Sequence, residues 1–558
     1  MVATTISIDN DEDLMRNAPI GISDFRKLRE SDLLYVDKSL LIDQVLNAGA
    51  DVLLFTRPRR FGKTMNISML DAYLNQRYAG NNWFDGLKIS EQRPQDPMKN
   101  AEVVIRLTFM FKFDGSYDTF LELVRERIRQ SYMDHLYLQG SEVIPDSMKA
   151  KMQGVLCDND APLLSSLHDL CWMLFKHHGR RVIILIDEYD NPVNGSTGDD
   201  QTRILNFMSS LLSMAIKDNE ALKFCVLTGV MRIAKESIFS GLNNLYVDDV
   251  FSNHPQETFG FTKTDVISIC DECEHPEKYD EIKEWYDGYR FGDVEIYNPW
   301  SVMNYISRGF EPDVYWGKTS GNKIIDRFLI NSGDSFDHGL VALGKGDSVE
   351  MELDDSVTYS DFEVDERSLY SIMVMTGYLR AIPGGSEGTY LISIPNKEMR
   401  KVFSKHIMDR LRERTGLDAS KFRNAVISGD PDKMISALTK MSMETVSIRL
   451  SKDHTSYQMF ITGLMMDLEG DYFITSDFES GSGFHDLRMR RVRGNSPNVI
   501  IEFKDTSNGD PERISEDALA QIHRKQYYYG MTGRVLLYGV CIREKVPTIT
   551  FEEMYLQG

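Results

Sequence analysis

Four short runs of consecutive apolar residues mark the first half of the chain: VLLFT (52–56), VVIRLTF (103–109), VIILI (182–186) and FCVLT (224–228). A run without polar alternation is a strand buried on both faces, as in a parallel sheet covered by helices. The stretches between the runs carry helical patterns long enough for crossover helices, so a right-handed α/β sheet is predicted. From about 263 to 400 the pattern changes to helical periods, aromatic clusters and a few short strands, read as a helical lid and connecting module. A helical linker is predicted over 401–443, interrupted at Asp430-Pro431. From 444 onward strand patterns return: a hairpin, one helix over Ser515 to Tyr529, two short strands, and a closing EEMYLQG expected to fray. With a polar tail over 1–18, the expected segments are 1–18, 19–262, 263–400, 401–443 and 444–558.

Composition narrows the class. At 558 residues the chain exceeds one ordinary core, and 42% apolar with 27% charged residues is ordinary globular usage. No apolar stretch approaches the roughly 18 residues that span a bilayer. The acidic start, MVATTISIDNDEDLM, lacks the layout of a signal peptide, and six cysteines make no disulfide framework. A cytoplasmic location with no membrane partner is expected. The net charge of −22 excludes a surface that binds nucleic acid everywhere, but it leaves room for a local basic groove.

The first chemical signal follows VLLFT directly. Arg57-Pro58-Arg59-Arg60-Phe61-Gly62-Lys63-Thr64 leads into a helix whose apolar residues recur three or four apart. Strand, Gly-Lys-Thr and helix together aim backbone N–H groups and a helix N-terminus at phosphates. Lys63 would reach the β/γ-phosphates of ATP and the Thr64 hydroxyl would hold Mg²⁺. The general pattern expects glycine where this chain has Arg57. A second element stands in the right order: VIILI runs into Asp187-Glu188-Tyr189-Asp190. Asp187 is expected in the Mg²⁺ shell and Glu188 as the residue that orients the attacking water. Thr228 is a candidate γ-phosphate sensor and Arg232 a candidate for transition-state charge. The competing readings are a chance Gly-Lys-Thr, solvent-facing acids and a surface arginine.

These stretches, with YVDKS (35–39), TGVMRIAKESIFSGLNNL (228–245), WYDGY (285–289) and YNPWS (297–301), resemble the AAA-ATPase-like family. That family is predicted to bind ATP and carries its loop as RPRRFGKT, so Arg57 follows the family's own pattern. Arg57, Arg60, Gly62, Lys63, Thr64, Asp187, Thr228 and Arg232 are the expected nucleotide-binding residues.

The second signal lies near the C-terminus. Glu479-Ser-Gly-Ser-Gly-Phe-His-Asp486 is followed by LRMRRV, the turn-forming Gly494-Asn495-Ser496-Pro497, and VIIEFK. A turn centred near Asn495 would face 486 with 504 and 488 with 502. Alternation sends Ile501 and Phe503 to the core and puts Glu502 and Lys504 on the other face. Two carboxylates and a lysine suit metal-assisted phosphodiester hydrolysis: Asp486 and Glu502 as ligands, Lys504 beside the water or the phosphate. A surface salt bridge across a hairpin is the plainer alternative. On the following helix, given an N-cap at Ser515, Gln521 and Lys525 share a face; Arg488, Arg490, Arg491 and Arg493 supply a local basic strip. This region resembles the PD-(D/E)xK nuclease superfamily, in the version fused behind AAA-ATPase-like domains. Asp486, Glu502, Lys504, Gln521, Lys525 and Tyr527 match its pattern, Phe484 departs from it, and Glu479 is an auxiliary candidate.

Cys270-x-x-Cys273 with His275 lacks a partner pair for zinc, and the 28 methionines read as core filler. The expected fold class is therefore α/β, a P-loop NTPase parallel sheet with a helical lid, then an α/β restriction-endonuclease-like domain. The expected function is an ATP-binding and hydrolysing protein with a nuclease domain using Mg²⁺, or Mn²⁺ at the second site. Its expected partner is nucleic acid, DNA ahead of RNA, with homo-oligomerisation left open. A nucleotide-driven switch or scaffold that binds nucleic acid without cutting is the alternative.

Overall fold

The apolar runs of the first half become adjacent strands of one sheet. The structure, a computed structural model, describes residues 18–31, 33–158, 161–233, 244–252, 257–317, 347–358, 365–386, 388–403, 419–444, 471–475, 478–480, 483–492, 495–505, 509–543 and 546–557, with single positions at 339, 343, 461, 465 and 468. The expected tail over 1–18 and the stretch 234–243 lie almost wholly outside these residues. Two units emerge, Met1–Gly321 with Glu350–Met399 and Asn322–Val349 with Arg400–Gly558.

In the first unit β1 (Val52–Thr56), β2 (Val103–Thr108), β3 (Val182–Asp187), β4 (Leu222–Gly229) and β5 (Leu245–Asp248) form a parallel sheet in the order β2-β3-β4-β1-β5. β1 and β3 are buried along their whole length, which is why their sequences carry no alternation. β5, an edge strand of half-buried residues, was not among the predicted strands. Helix α1 (Lys63–Leu74) is buried nearly all round, and α2 (Tyr117–Met133), α3 (Ser166–His178) and α4 (Gly198–Ile216) complete the cover. β4 lies between β1 and β3, so the strand ending in Asp187 is one position removed from the strand that feeds the phosphate loop.

The expected lid region holds α5 (Lys263–Glu272), α6 (Tyr279–Tyr286), the hairpin of β6 (Tyr289–Phe291) and β7 (Val294–Ile296), α7 (Pro299–Ser307), α8 (Glu366–Thr376), and a second hairpin of β8 (Arg380–Pro383) and β9 (Thr389–Ser393). A Thr262/Asp265 capping box starts α5, and Asn298 caps α7 with Pro299 in its first turn. Val266, Ile269, Ile282, Trp285, Tyr286 and Tyr305 form its core together with Cys270 and Cys273, whose thiols burial pushes up to about 11.

The second unit is built on a mixed sheet of β10 (Tyr472–Thr475), β11 (Leu487–Arg491), β12 (Asn498–Asp505), β13 (Gly533–Arg543) and β14 (Val546–Leu556) in sequential order, with β12 and β13 parallel and the other pairs antiparallel. Both faces are covered. Ile501, Phe503, Leu487 and Met489 pack with Phe422, Val426, Met434 and Leu438 of α9 (Ala419–Ser428) and α10 (Pro431–Glu444). The stretch expected as a linker thus supplies one side of this core. Opposite, Ile500, Val535 and Leu537 pack on Ile522 and Tyr527, at and just beyond the end of α11 (Pro511–Lys525).

Three local expectations are corrected. α11 begins at Pro511, with Asp510 as its cap, because a proline fits the first helical turn; Ser515 is buried inside the helix, its hydroxyl bonded to Glu512 O and Thr550. The hairpin pairs Leu487 with Ile501 and Arg488 with Ile500, so Asp486 lies across from Glu502, two residues from the expected partner. Asn498 closes that ladder by accepting the Arg491 N–H at 2.8 Å and donating to Thr532 O at 3.0 Å. Finally, the closing segment does not fray: β14 pairs with β13 as far as Leu556 opposite Gly533.

Candidate active sites

At the first site the fold brings two other chain segments to one carboxylate. Thr64, at the start of α1, donates to Asp187 Oδ2 at 2.8 Å, and Thr228, near the end of β4, donates to Asp187 Oδ1 at 2.8 Å. β4's place between β1 and β3 explains the second contact. Asp187 is 1% exposed, and burial, with the charge of Glu188 second, raises its pKa to about 6; the two hydroxyls and Lys63 act against that rise. Lys63 donates to the carbonyls of Arg57 and Pro58, each at 3.1 Å, and stands 3.2 Å from Glu188 Oε1. Gly62 has φ +85°, a conformation that glycine adopts without penalty. Glu188 has φ +54°, which is uncommon for a side chain and clusters at functional sites. Asp190, also buried, accepts the N–H groups of Val230 and Met231, tying the acidic turn to the end of β4.

At the second site Asp486 Oδ2 accepts the Phe503 N–H at 2.6 Å, which fixes the acid beside β12. Glu502 and Lys504 point to the α11 side. Gln521 is the hub: its amide oxygen accepts from Lys504 Nζ at 2.7 Å, and its nitrogen donates to Glu502 Oε1 and, at 3.2 Å, to Tyr527 Oη. Lys504 Nζ is 3.5 Å from the same Glu502 oxygen. The close seating of α11 has a visible cause. Gly539 pairs with Glu502, and a Cβ there would stand 2.1 Å from Ser515 O and 2.6 Å from Leu519 N. Glu502 is 2% exposed; burial first, then the Asp486 charge, raises its pKa to about 7, with Lys504 opposing. Its other oxygen, Oε2, is buried and has no hydrogen-bond partner among the described residues. A buried, bare carboxylate oxygen facing a second acid is the donor set a hard cation takes. Among the described residues no three His, Cys, Asp or Glu converge, so a cation here would complete its shell with water or backbone oxygen, as Mg²⁺ readily does.

Comparison with known proteins matches both regions. Residues 19–239 match the family model described as predicted AAA-ATPase, and residues 453–549 match that of the PD-(D/E)XK nuclease superfamily. The chain joins an AAA-ATPase-like domain to a PD-(D/E)XK nuclease superfamily domain. An uncharacterized protein from the vnfD 5′ region of Azotobacter chroococcum mcd 1 is 29% identical over 406 residues, 71% of this chain and 70% of that protein. Among solved structures, a Walker-type ATPase of Pyrococcus abyssi aligns with a TM-score of 0.36 at 13% identity, covering 66% of this chain and 94% of that one.

Within the AAA-ATPase-like domain not every expected residue faces the loop. Arg57 is completely buried: its guanidinium donates to Thr56 O, Asp248 O and Asp248 Oδ1, each at 2.8 Å, between the rings of Phe259 and Phe291. It therefore braces β1 against β5, a role different from the phosphate contact expected of it. Arg60 (φ +71°) lies 4.1 Å over the Trp300 ring, with burial lowering its pKa. Arg232 donates to Asp249 Oδ2 at 3.3 Å, and its Nε is buried without a partner among the described residues. Trp316, which the sequence reading passed over, donates from its indole to Arg59 O at 3.1 Å, so the module beyond residue 263 grips the phosphate loop. Its only sequence signal was an aromatic cluster.

In the PD-(D/E)XK domain the expected basic strip is mostly engaged inside the protein. Arg488 donates to the carbonyls of Tyr527 at 3.0 Å and Tyr529 at 2.7 Å, and Arg491 donates to Ser496 O at 3.3 Å. Arg490 alone of the described three is exposed. Arg493 lies outside the described residues. So do the side chains of Glu479 and Phe484, which pair across a short ladder. Lys525 is the last residue of α11, one turn beyond Gln521.

Proposed function

We propose that the protein binds and hydrolyses ATP and cleaves nucleic-acid phosphodiester bonds, DNA ahead of RNA, under nucleotide control. The bare, buried Glu502 Oε2 beside Asp486 carries the nuclease half. At the ATP site the loop N–H groups and the α1 N-terminus receive phosphate, Lys63 exchanges its carbonyl partners for phosphate oxygens, and Glu188 holds the attacking water. Thr64 and Asp187, already in contact, are the hard-oxygen pair for Mg²⁺. At the second site Asp486 and Glu502 would hold Mg²⁺ or Mn²⁺. A bound divalent ion there supplies Lewis acidity and a more acidic water. Lys504, oriented by Gln521, places positive charge beside the phosphate as negative charge builds.

The deciding experiment is plasmid and oligonucleotide cleavage by the full chain with Mg²⁺ or Mn²⁺, with and without ATP. Metal-dependent cutting that changes with ATP is expected. Nucleotide turnover with no cutting under any metal would move the chain to the switch reading, in which the second domain binds without cleaving.

A further inference from the structure

Strand alternation carries a line of side chains away from the candidate nuclease site. Leu487 and Met489 of β11 enter the core under α9 and α10, so Asp486, Arg488 and Arg490 share the opposite face, the one that holds Glu502 and Lys504. On the neighbouring edge strand β10, Tyr472 and Ile474 belong to the same core, which turns Phe473 to the Asp486 side. Phe473 pairs with Arg490, and the Arg490 guanidinium lies 5.5 Å from its ring centroid. Phe473 is 50% exposed. Arg490 makes no ion pair with any described residue. Between them and Asp486 stands Arg488, whose bonds to the Tyr527 and Tyr529 carbonyls hold that turn on the same face. Tyr529 is 74% exposed.

From this arrangement we infer that the β10–β11 edge is a stacking platform for single-stranded nucleic acid, leading an unpaired strand to Asp486 and Glu502. A half-exposed aromatic ring with a guanidinium over it joins a π surface to a cation, which an unstacked base and its phosphate can use together; a duplex keeps its base faces inside the stack. Four residues of strand place Arg490 about 13 Å from Asp486, a span of a few nucleotides. Of the three arginines on β11 only Arg490 is exposed, and a single such cation fits this better than a duplex groove, whose affinity needs many phosphate contacts. The destination of the strand rests on the nuclease reading; the stacking itself does not.

The test uses the full chain in EDTA, so that binding is read without cutting. The probes are a fluorescent oligo(dT) of about 15 nucleotides, within the site sizes such surfaces cover, an abasic strand of equal length, an oligo(rU) and a blunt duplex. Oligo(dT) or oligo(rU) should bind at least about tenfold tighter than duplex. Phe473→Ala should lose about tenfold on base-bearing strands and leave abasic binding unchanged, while Phe473→Trp restores it. Arg490→Ala should weaken all strands and reduce the salt slope by about 0.7. Unaltered strand binding by a folded Phe473→Ala, or duplex bound as tightly as strand, overturns the platform. With metal restored, strand binding without cleavage supports the platform and removes the nuclease reading. Duplex cleavage untouched by Phe473→Ala does the reverse.

Discussion

The two sites use the same three residue types and leave them in opposite states. In the AAA-ATPase-like domain the first acid is saturated: both Asp187 oxygens accept hydroxyls, and Lys63 is held by two carbonyls and Glu188. In the PD-(D/E)XK domain Lys504 and Gln521 crowd one oxygen of Glu502 while the other has no partner among the described residues. Burial raises both acids, Asp187 to about 6 and Glu502 to about 7. A raised carboxylate therefore marks both sites, but what surrounds it differs. The first must exchange internal partners for its ligand, and the second has a gap to fill.

The largest effect should separate the sites outright. Asp486→Ala or Glu502→Ala is expected to reduce metal-dependent cleavage about 10³-fold or more while ATP turnover stays near wild type. Parallel cleavage and phosphate-release assays read both, and a matching fall in ATP turnover would break the separation. Next, Glu188→Gln should bind ATP yet hydrolyse it about 10²-fold more slowly, because the charge that orients water is gone. Wild-type turnover in that variant would assign the base elsewhere. Because Glu188 also faces Lys63, nucleotide affinity in the variant should hold or rise, measurable by titration calorimetry.

A smaller effect probes saturation. Thr228→Val leaves Asp187 Oδ1 without its hydroxyl inside the sheet, which should cost about 1–3 kcal/mol in denaturant unfolding of the first unit. An effect of similar size comes from a raised carboxylate away from both sites. Glu398 is buried, accepts Trp316 N–H at 2.5 Å and Ser301 Oγ at 2.8 Å, and is pushed up to about 7 by burial. Its folded state favours the protonated acid. That contribution is complete below the ordinary value of 4.5 and is lost as pH rises through about 7. Glu398→Gln should flatten melting temperature between pH 5 and 8, gaining about 1–3 kcal/mol at the alkaline end. An unchanged pH profile would show that burial alone does not raise a carboxylate here.

Much of this architecture was legible because burial on two faces writes itself into sequence. VLLFT and VIILI can be read as strands, and the Gly-Lys-Thr and Asp-Glu pairs at their ends follow from chain order. β5 could not be read in that way, since its half-buried residues carry no strong pattern. The α11 start was present as Asp510-Pro511, a cap and a first-turn proline, but a serine further on drew the boundary inward. Hairpin register depended on Asn498 reaching Thr532, a contact 34 residues away. Arg57 was assigned by motif alone; its partner Asp248 is 191 residues distant, and nothing local announces that the side chain turns into the core.

That buried pair also constrains how the phosphate loop can change over generations. Arg57 and Asp248 are each wholly enclosed, so replacing either strands the other's charge, at a cost of about 3–5 kcal/mol. A chain of marginal stability rarely survives such a step alone. Drift at the head of this loop should therefore proceed by paired substitution, with both charges kept or both exchanged for apolar side chains of similar volume. Across relatives the two positions should vary as a single character, and a glycine at position 57 should never accompany an aspartate at 248.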